Sequence, residues 1–339
     1  MKKGIAIAGN IIVDEVKHIA VYPNAGMLSR ITKLDKSVGG VVGNTAVDLA
    51  IMDPMLPLQV IAVVGDDQNG QFALDHLWNY GISCENIQIS TQQRTSFTDV
   101  MQDASTGQRT FFTYGGADGE LCYDRMDFTQ INTDIFHLGY ALLLQGMDDA
   151  DDAYGTVMAK TLAKVQSMGI KTSMDVVSEQ SERAAKIVCC SAKYCDYFIV
   201  NEIEAGMTVG LAARDHGGAL DAHIIEDICK KLFATGVKEW VVIHAPEMSF
   251  AMHKNGEYCV QPTFDLPEGF IAGSVGAGDA FSAGVLYGLY HQWDMKKILF
   301  YANAAAAACL QGAGGTDAMR SKEKIFELAD SLPVRQKTV

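Results

Sequence analysis

The chain has 339 residues, of which 48% are hydrophobic and 20% are charged, and its formal net charge is −14 at pH 7. This length and composition predict a globular protein with a deep core, and they allow one large domain or two. The negative charge argues against nucleic acid or an anionic membrane as a partner, because both need a basic surface.

The eight cysteines are scattered along the chain, at positions 84, 122, 189, 190, 195, 229, 259 and 309. They include no paired C-x-x-C motif with a histidine nearby, so we expect no zinc site. Free thiols are typical of a reducing compartment, and the sequence therefore predicts a cytoplasmic protein. The start of the chain, M-K-K-G-I-A, resembles the basic beginning of a signal peptide, but Asp14 and Glu15 interrupt the apolar run that follows. This favours a first strand over a signal peptide.

Residues 4–14, G-I-A-I-A-G-N-I-I-V-D, predict an apolar strand that ends at small and polar residues, where α/β proteins place ligands. Asp14 at its end is either a surface turn acid or a ligand contact. Residues 16–38 predict short alternating strands, and residues 95–103 and 108–114 have the same character. Four such strands without helices predict a small sheet beside the main body.

The run G-G-V-V-G-N precedes a predicted helix at 45–52. Gly39 and Gly40 would let backbone approach a ligand closely, and the Asn44 amide can both donate to and accept from hydroxyl groups. The alternative is that Asn44 only caps the helix. A strand at 58–64 and a helix ending at Gly81 follow.

From Ile135 onward, predicted strands alternate with predicted helices at about 151–168 and 180–192. This alternation predicts a parallel sheet with crossover helices. No linker interrupts it. We therefore expect one α/β domain over 1–339, with strands of a second sheet inserted at about 15–38 and 95–114.

Asn201 and Glu204 directly follow a buried strand at 197–200. Acids at that edge of a sheet are well placed to hold a metal and its phosphates, although an acid-rich helix opening gives the same pattern. Another strand ends at His244, for which a catalytic acid is possible and packing against neighbours is the favoured interpretation.

The stretch G-S-V-G-A-G-D-A-F, from Gly273 to Phe281, predicts a tight turn that opens a helix. Small residues at a helix N-terminus form an anion hole, because unpaired N–H groups and the helix dipole attract negative charge. Asp279 at such a turn fits a general base that takes a proton from a hydroxyl attacking a bound phosphate. The alternative is an ordinary acid in the first turn of a helix.

This stretch resembles the C-terminal signature of the ribokinase-like (PfkB) family of carbohydrate and nucleoside kinases, usually D-T-x-G-A-G-D. The family's G-G-x-x-x-N motif is matched by Gly39, Gly40 and Asn44, and its N-x-x-E motif by Asn201 and Glu204. The resemblance implies a three-layer α/β fold with a mostly parallel central sheet and a small β-sheet lid. It also implies ATP-dependent phosphorylation of a hydroxymethyl group on a sugar or sugar-like molecule.

The resemblance further assigns roles to individual residues. It implies Asp279 as the base, with an anion hole at Gly276, Ala277 and Gly278. It implies sugar contacts at Asp14, Gly39, Gly40 and Asn44, nucleotide contacts at Asn201, His244, Gly278 and Asn303, and magnesium near Glu204 and Asn201. In many members the lid also pairs two subunits, so a homodimer is expected.

The chain departs from the family at several positions. Gly273 stands where the family has Asp, and the loop after His244 lacks the glycines of the family's T-L-G-x-x-G. Val41 replaces a ribokinase lysine, which argues against ribose as the substrate. Two alternatives stay open: a nucleoside kinase whose base slot uses Phe97, Phe112 and Tyr114, and a sugar sensor without catalysis.

Overall fold

A computed structural model describes residues 3–106, 108–179 and 183–336. Its strands are β1 (Ile5–Ala8), β2 (Ile12–Ile19), β3 (Ile31–Gly39), β4 (Leu58–Gly65), β5 (Ile87–Ser90), β6 (Phe97–Asp103), β7 (Arg109–Tyr114), β8 (Ile135–Ala141), β9 (Lys171–Val176), β10 (Tyr197–Asn201), β11 (Trp240–His244), β12 (Met248–His253) and β13 (Tyr258–Pro262). Its α-helices are α1 (Val47–Met52), α2 (Gln68–Asn79), α3 (Gln145–Asp148), α4 (Val157–Ser167), α5 (Arg183–Ala192), α6 (Glu202–Val209), α7 (Ala222–Thr235), α8 (Ala277–Tyr290), α9 (Met295–Cys309) and α10 (Lys322–Ser331).

The main sheet has nine strands in the order β13-β12-β11-β10-β9-β8-β1-β4-β5. The seven strands β11, β10, β9, β8, β1, β4 and β5 run parallel to one another. Strands β12 and β13 are antiparallel to their neighbours. Strand β1 is buried along its whole length, as expected when helices cover both faces of a parallel sheet. A hydrophobic cluster lies on each face, and the predicted three-layer α/β fold is confirmed.

The second sheet has four strands in the order β3-β2-β6-β7. These strands fall within or beside the segments for which a small sheet is predicted. The prediction of one unbroken strand over residues 4–14 is wrong, because the chain leaves the main sheet after Ala8 and enters the second sheet at Ile12. This crossing places Gly9 and Asn10 between the two sheets.

The structure moves the beginnings of two predicted helices. The helix expected from about 151 begins at Val157, because Asp151 accepts hydrogen bonds from the N–H groups of Ala153 and Tyr154 in a local turn. Residues 180–182 of another predicted helix lie outside the described part of the chain, and α5 covers the rest. No helix in the described ranges is both long and apolar enough to cross a membrane.

The carboxyl ends of five neighbouring strands, β1, β8, β9, β10 and β11, meet at one edge of the main sheet. They carry polar side chains there, in the order Asn10, Tyr140, Asp175, Asn201 and His244. This edge is where open α/β sheets place their ligands. The start of α8, which carries Asp279, lies at the same edge, since Asp279 and Tyr140 are hydrogen-bonded.

Candidate active site

Helix α8 opens at Gly276, the residue before its first turn. Gly276 has a φ of +79°, a backbone conformation that suits glycine, and a Cβ there would lie 2.6 Å from the Cα of Gly315. Ala277 and Gly278 form the first helical positions and line the adjoining cavity. The N–H groups of a first turn have no partner within the helix, so this turn can bind an anion.

Asp279 lies at the third position of α8 and is buried, with 8% of its surface exposed. Its Oδ2 accepts hydrogen bonds from Asn44 Nδ2 at 3.0 Å and from the Tyr140 hydroxyl at 2.8 Å, and its Oδ1 accepts one from Thr45 Oγ1 at 3.3 Å. Burial, assisted by the charge of Asp175, raises the pKa of Asp279 to about 7, although the three donors oppose the shift. A carboxyl group that titrates near neutrality suits general-base chemistry.

A cavity of about 210 Å³ adjoins Asp279 at the sheet edge. Its polar lining comes from Tyr140, Asp175, Ser178, Asn201, Glu204, His244, Asp279 and Ser282. Three carboxyl groups therefore share one small space. In the described part of the chain, no group of three or more His, Cys, Asp or Glu side chains is arranged to hold a metal ion by itself.

Asn201 and Glu204 form a capping box at the start of α6. The Asn201 side chain accepts the N–H of Glu204 at 2.8 Å, and Glu204 Oε2 accepts the N–H of Asn201 at 3.0 Å. The helix-opening interpretation is thus correct for the backbone, yet the Glu204 carboxyl also faces the small cavity. Burial, with smaller contributions from Asp175 and Glu202, raises the pKa of Glu204 to about 7.

A larger cleft of about 490 Å³ lies on the other side of the α8 turn. It shares Asn201, His244 and Gly278 with the small cavity. Much of its wall is apolar, from Phe264, Leu266, Ile271, Phe281 and Leu310, and Asn303 adds a buried amide. A mostly apolar cleft with a few polar groups that opens onto an anion hole has the form of a nucleotide site.

His244 lies between the two cavities. Its ring packs on Phe281 with centroids 4.7 Å apart, and burial lowers the pKa of His244 to about 4. The histidine is therefore neutral near pH 7, which supports packing rather than acid catalysis. The altered loop introduces an acid, Glu247, whose Oε1 accepts a hydrogen bond from Arg214 Nη1 at 2.9 Å. Arg214 therefore neutralises the charge of Glu247, which lines neither cavity.

The predicted sugar-binding glycines lie at the junction with the second sheet. A Cβ on Gly39 would lie 2.9 Å from Asp14 Oδ2, and one on Gly40, whose φ is +80°, would lie 2.6 Å from the Asn10 carbonyl oxygen. Burial raises the pKa of Asp14 to about 6. Asp14 and Gly39 contact each other but line neither of the cavities above, whereas Asn44 reaches Asp279 directly.

The aromatic residues proposed as a base slot lie on the other face of the second sheet from Asp14. Asp14 is paired with Thr98, while Phe97 is paired with Tyr114 and Asp99 with Phe112. Because side chains alternate along a strand, Phe97, Phe112 and Tyr114 point away from the Asp14 face. This arrangement argues against the nucleoside alternative.

Four residues at the site were missed by the sequence interpretation: Asn10, Thr45, Tyr140 and Asp175. Asn10 accepts the N–H of Val41 through its side chain at 3.1 Å, and the other three surround Asp279. Asn10, Tyr140 and Asp175 share one signal, a polar residue at the end of an apolar strand, which marks this edge in parallel sheets. Thr45 follows Asn44 in a π-helical turn at Val42–Ala46, a feature common at functional sites.

The curated relatives similar to this chain include sugar kinases. A 5-dehydro-2-deoxygluconokinase of Geobacillus thermodenitrificans (strain NG80-2) is 25% identical over 302 residues, which cover 88% of this chain and 85% of that protein. Another from Clostridium beijerinckii (strain ATCC 51743 / NCIMB 8052) is 26% identical over 322 residues, which cover 90% of both.

Solved structures show the same fold. An Arabidopsis thaliana ribokinase complexed with ribose and ATP matches with a TM-score of 0.82 at 20% identity, over 97% of this chain and 99% of that one. A Methanocaldococcus jannaschii nucleoside kinase matches with a TM-score of 0.73 at 18% identity, over 97% and 98% of the two chains.

The sequence model of the pfkB family carbohydrate kinases matches residues 5–322. That range spans both sheets and includes the Asp279 turn. Because one family model accounts for nearly the whole chain, and its fold is the one found here, this chain belongs to the pfkB family of carbohydrate kinases.

Proposed function

We propose that this kinase transfers the γ-phosphoryl group of ATP to a hydroxymethyl group of a sugar or sugar-like molecule, with Asp279 as the general base. The observation that carries the proposal is the Asp279 carboxyl itself. It is buried at an anion-binding turn between two cavities, and its pKa of about 7 leaves it able to accept a proton near neutrality. A sensor without catalysis would not require that arrangement.

In the reaction, the substrate hydroxyl oxygen forms a bond to the γ-phosphorus while the bond from that phosphorus to the oxygen of ADP breaks. The hydroxyl proton moves to Asp279. The N–H groups at Ala277 and Gly278 supply positive charge to the transferred phosphoryl group, because they lie at a helix N-terminus.

The larger cleft supports a nucleotide site. Its apolar wall suits an adenine ring, and the boundary it shares with the small cavity would bring the γ-phosphate beside Asp279. We assign Asn201, His244, Gly278 and Asn303 to this nucleotide, with His244 as a neutral wall residue.

Magnesium is assigned to Glu204 and Asn201. Magnesium keeps several waters and binds one or two carboxylates together with substrate phosphates, so it does not need a full protein cage. Glu204 fits this role, because its carboxyl faces the cavity beside Asp175 and would be stabilised in its ionised form by a cation. The ion would neutralise charge on the phosphates during transfer.

The sugar is assigned to the side of Asp279 that faces the second sheet, with contacts from Asp14, Gly39, Gly40 and Asn44. The names of the relatives point to a gluconate derivative and to ribose, and Val41 argues against ribose. We further propose that the second sheet acts as a lid that excludes water from the reaction. Its outer strands, β3 and β7, are exposed from Ile31 to Ser37 and from Arg109 to Tyr114, which supports pairing of two subunits.

The eight cysteines, all within the described part of the chain, are free thiols. That state supports our proposal of a cytoplasmic location.

The function is tested by ADP formation with a panel of neutral sugars, sugar acids and nucleosides in the presence of Mg²⁺ and ATP. We expect substrate-dependent ADP formation with at least one sugar or sugar acid. Activity with nucleosides alone would favour the alternative kinase. Sugar binding without ADP formation would favour a sensor.

A further inference from the structure

We propose that Tyr140 is a positioning residue for the catalytic base: its hydroxyl fixes Asp279 Oδ2 and leaves Oδ1 to receive the substrate hydroxyl. This inference rests on the proposed role of Asp279. The contact that carries it is the hydrogen bond from the Tyr140 hydroxyl to Asp279 Oδ2 at 2.8 Å.

The backbone of Tyr140 is held in an unusual conformation. Its φ is +59°, which is rare for a residue with a bulky side chain and costs about 1 kcal/mol or more. The Tyr140 N–H donates to Asp175 Oδ1 at the end of the next strand. Asp175 is in turn contacted by the buried ring of His137 at 3.3 Å. These contacts hold the Tyr140 backbone in a strained conformation, in which its hydroxyl reaches Asp279.

The hydrogen-bond donors around Asp279 occupy most of the acceptor positions on its carboxylate. A carboxylate offers about four lone-pair positions, two on each oxygen. Oδ2 accepts from Asn44 and Tyr140, which fills it, and Oδ1 accepts from Thr45 alone. Oδ1 therefore keeps an acceptor position for the proton of the substrate hydroxyl.

Tyr140 also lines the small cavity together with Asp279. Its hydroxyl donates its one proton to the base, and its oxygen, which has two lone pairs, interacts with the Asn44 side chain. One acceptor position is thus left for a second hydroxyl of the substrate. A polyhydroxylated substrate with two neighbouring hydroxyl groups would match this pair.

Several groups that titrate or carry charge surround Asp279, on different elements. They are Asp48 on α1, Tyr140 on β8, Asp175 on β9, Glu204 on α6, His244 on β11 and Cys309 on α9. Any single pH profile therefore combines several titrations. Comparison of variants that differ by one group isolates the contribution of Tyr140.

The test compares Tyr140→Phe and Asp175→Asn with the wild type. Removing the phenol hydroxyl removes a donor that favours the ionised carboxyl, so the Asp279 pKa should rise. Removing the Asp175 charge relieves repulsion, so it should fall. Two readouts are used at saturating Mg²⁺: the pH dependence of kcat/KM, and the carboxyl titration in protein labelled with ¹³C-aspartate, with the Asp279 signal assigned through Asp279→Asn.

We expect the two variants to shift the Asp279 titration in opposite directions and Tyr140→Phe to lower kcat/KM for the sugar about tenfold near pH 7. The affinity for ADP should stay unchanged, which shows that the fold is intact. Tyr154→Phe, at a half-exposed tyrosine outside both cavities, is the matched control and should behave as wild type.

Equal titrations of Asp279 in the wild type and in Tyr140→Phe would overturn the inference, as would shifts of the same sign in both variants. The NMR titration does not depend on turnover. An opposite pair of shifts in a protein that forms no ADP would therefore sustain the positioning of Asp279 while rejecting the proposed function.

Discussion

Asp279 and Asp48 are two buried aspartates with contrasting surroundings. Asp279 accepts three hydrogen bonds, whereas neither carboxyl oxygen of Asp48 has a hydrogen-bond partner among the described residues. Burial, with the charge of Asp279 nearby, raises the pKa of Asp48 well above its usual value. Burial therefore favours the protonated form of Asp48 in the folded protein, and ionisation of Asp48 costs stability.

We predict that Asp48→Asn makes the free energy of unfolding less dependent on pH. Because the folded pKa of Asp48 is raised, its contribution to stability is full below about pH 4, the unfolded value, and declines as pH rises toward the folded value. Asparagine removes this loss. Urea unfolding is measured from pH 4 to pH 9. The free energy of unfolding of Asp48→Asn should increase relative to the wild type as pH rises, while that of the control Asp152→Asn, at an exposed residue, should follow the wild type. A constant difference between Asp48→Asn and wild type would contradict the assignment.

The capping box of α6 performs two tasks with the same pair of residues. It satisfies backbone N–H groups at the start of the helix, and it holds the Glu204 carboxyl toward the cavity through Ser178 and Asn201. Glutamine can replace glutamate in a capping box, because its side-chain oxygen still accepts the N–H of the cap residue. Glu204→Gln therefore removes the charge while keeping the helix start.

We predict that Glu204→Gln raises the Mg²⁺ concentration needed for half-maximal rate, since a hard cation prefers a charged oxygen. The thermal unfolding temperature should stay nearly unchanged, because the helix cap is kept. Glu204→Ala should raise the same Mg²⁺ concentration and also lower stability by about 1 kcal/mol, because the cap is lost. A magnesium titration of Glu204→Gln that matches the wild type would leave Glu204 with its structural task alone.

The loop before α8 explains one departure from the family. A Cβ on Gly273 would lie 2.8 Å from the Gly312 carbonyl oxygen and 3.0 Å from that of Ala313. An aspartate at this position would therefore collide with backbone. In this chain the loop at Gly273 packs directly against the loop at Gly312 and Ala313, and this packing leaves space for glycine but not for a side chain.

At the scale of the whole molecule, the second sheet exposes large apolar side chains on its two outer strands, β3 and β7. Leu34 on β3 is 67% exposed, and Phe111 and Phe112 on β7 are 60% and 52% exposed. Exposed sheet edges with large apolar side chains favour pairing with another chain.

We predict a homodimer formed through this sheet, so light scattering should give twice the 36.7 kDa mass of one chain. Leu34→Asp should dissociate it. Met55→Asp, at an even more exposed residue outside the sheet, should not. A wild-type monomer at assay concentrations would reject the prediction.

The sequence could predict a parallel sheet with crossover helices because apolar strands alternate with helices along the chain, and it located Asp279, Asn44 and Glu204 because these lie in local motifs. It could not predict Tyr140 and Asp175, since their importance depends on the pairing of β8 with β9 and on the position of α8. It also could not predict that Asp48 is buried, because this burial depends on packing between helices that are distant in sequence.

The most direct test of the account is the turnover of Asp279→Asn with ATP and a sugar accepted by the wild type. Asparagine keeps the shape of the side chain but cannot accept the proton. We expect the rate to fall about 10²-fold or more, the usual scale for loss of a general base, while ADP and the sugar still bind. Turnover comparable to the wild type would show that Asp279 is not the base.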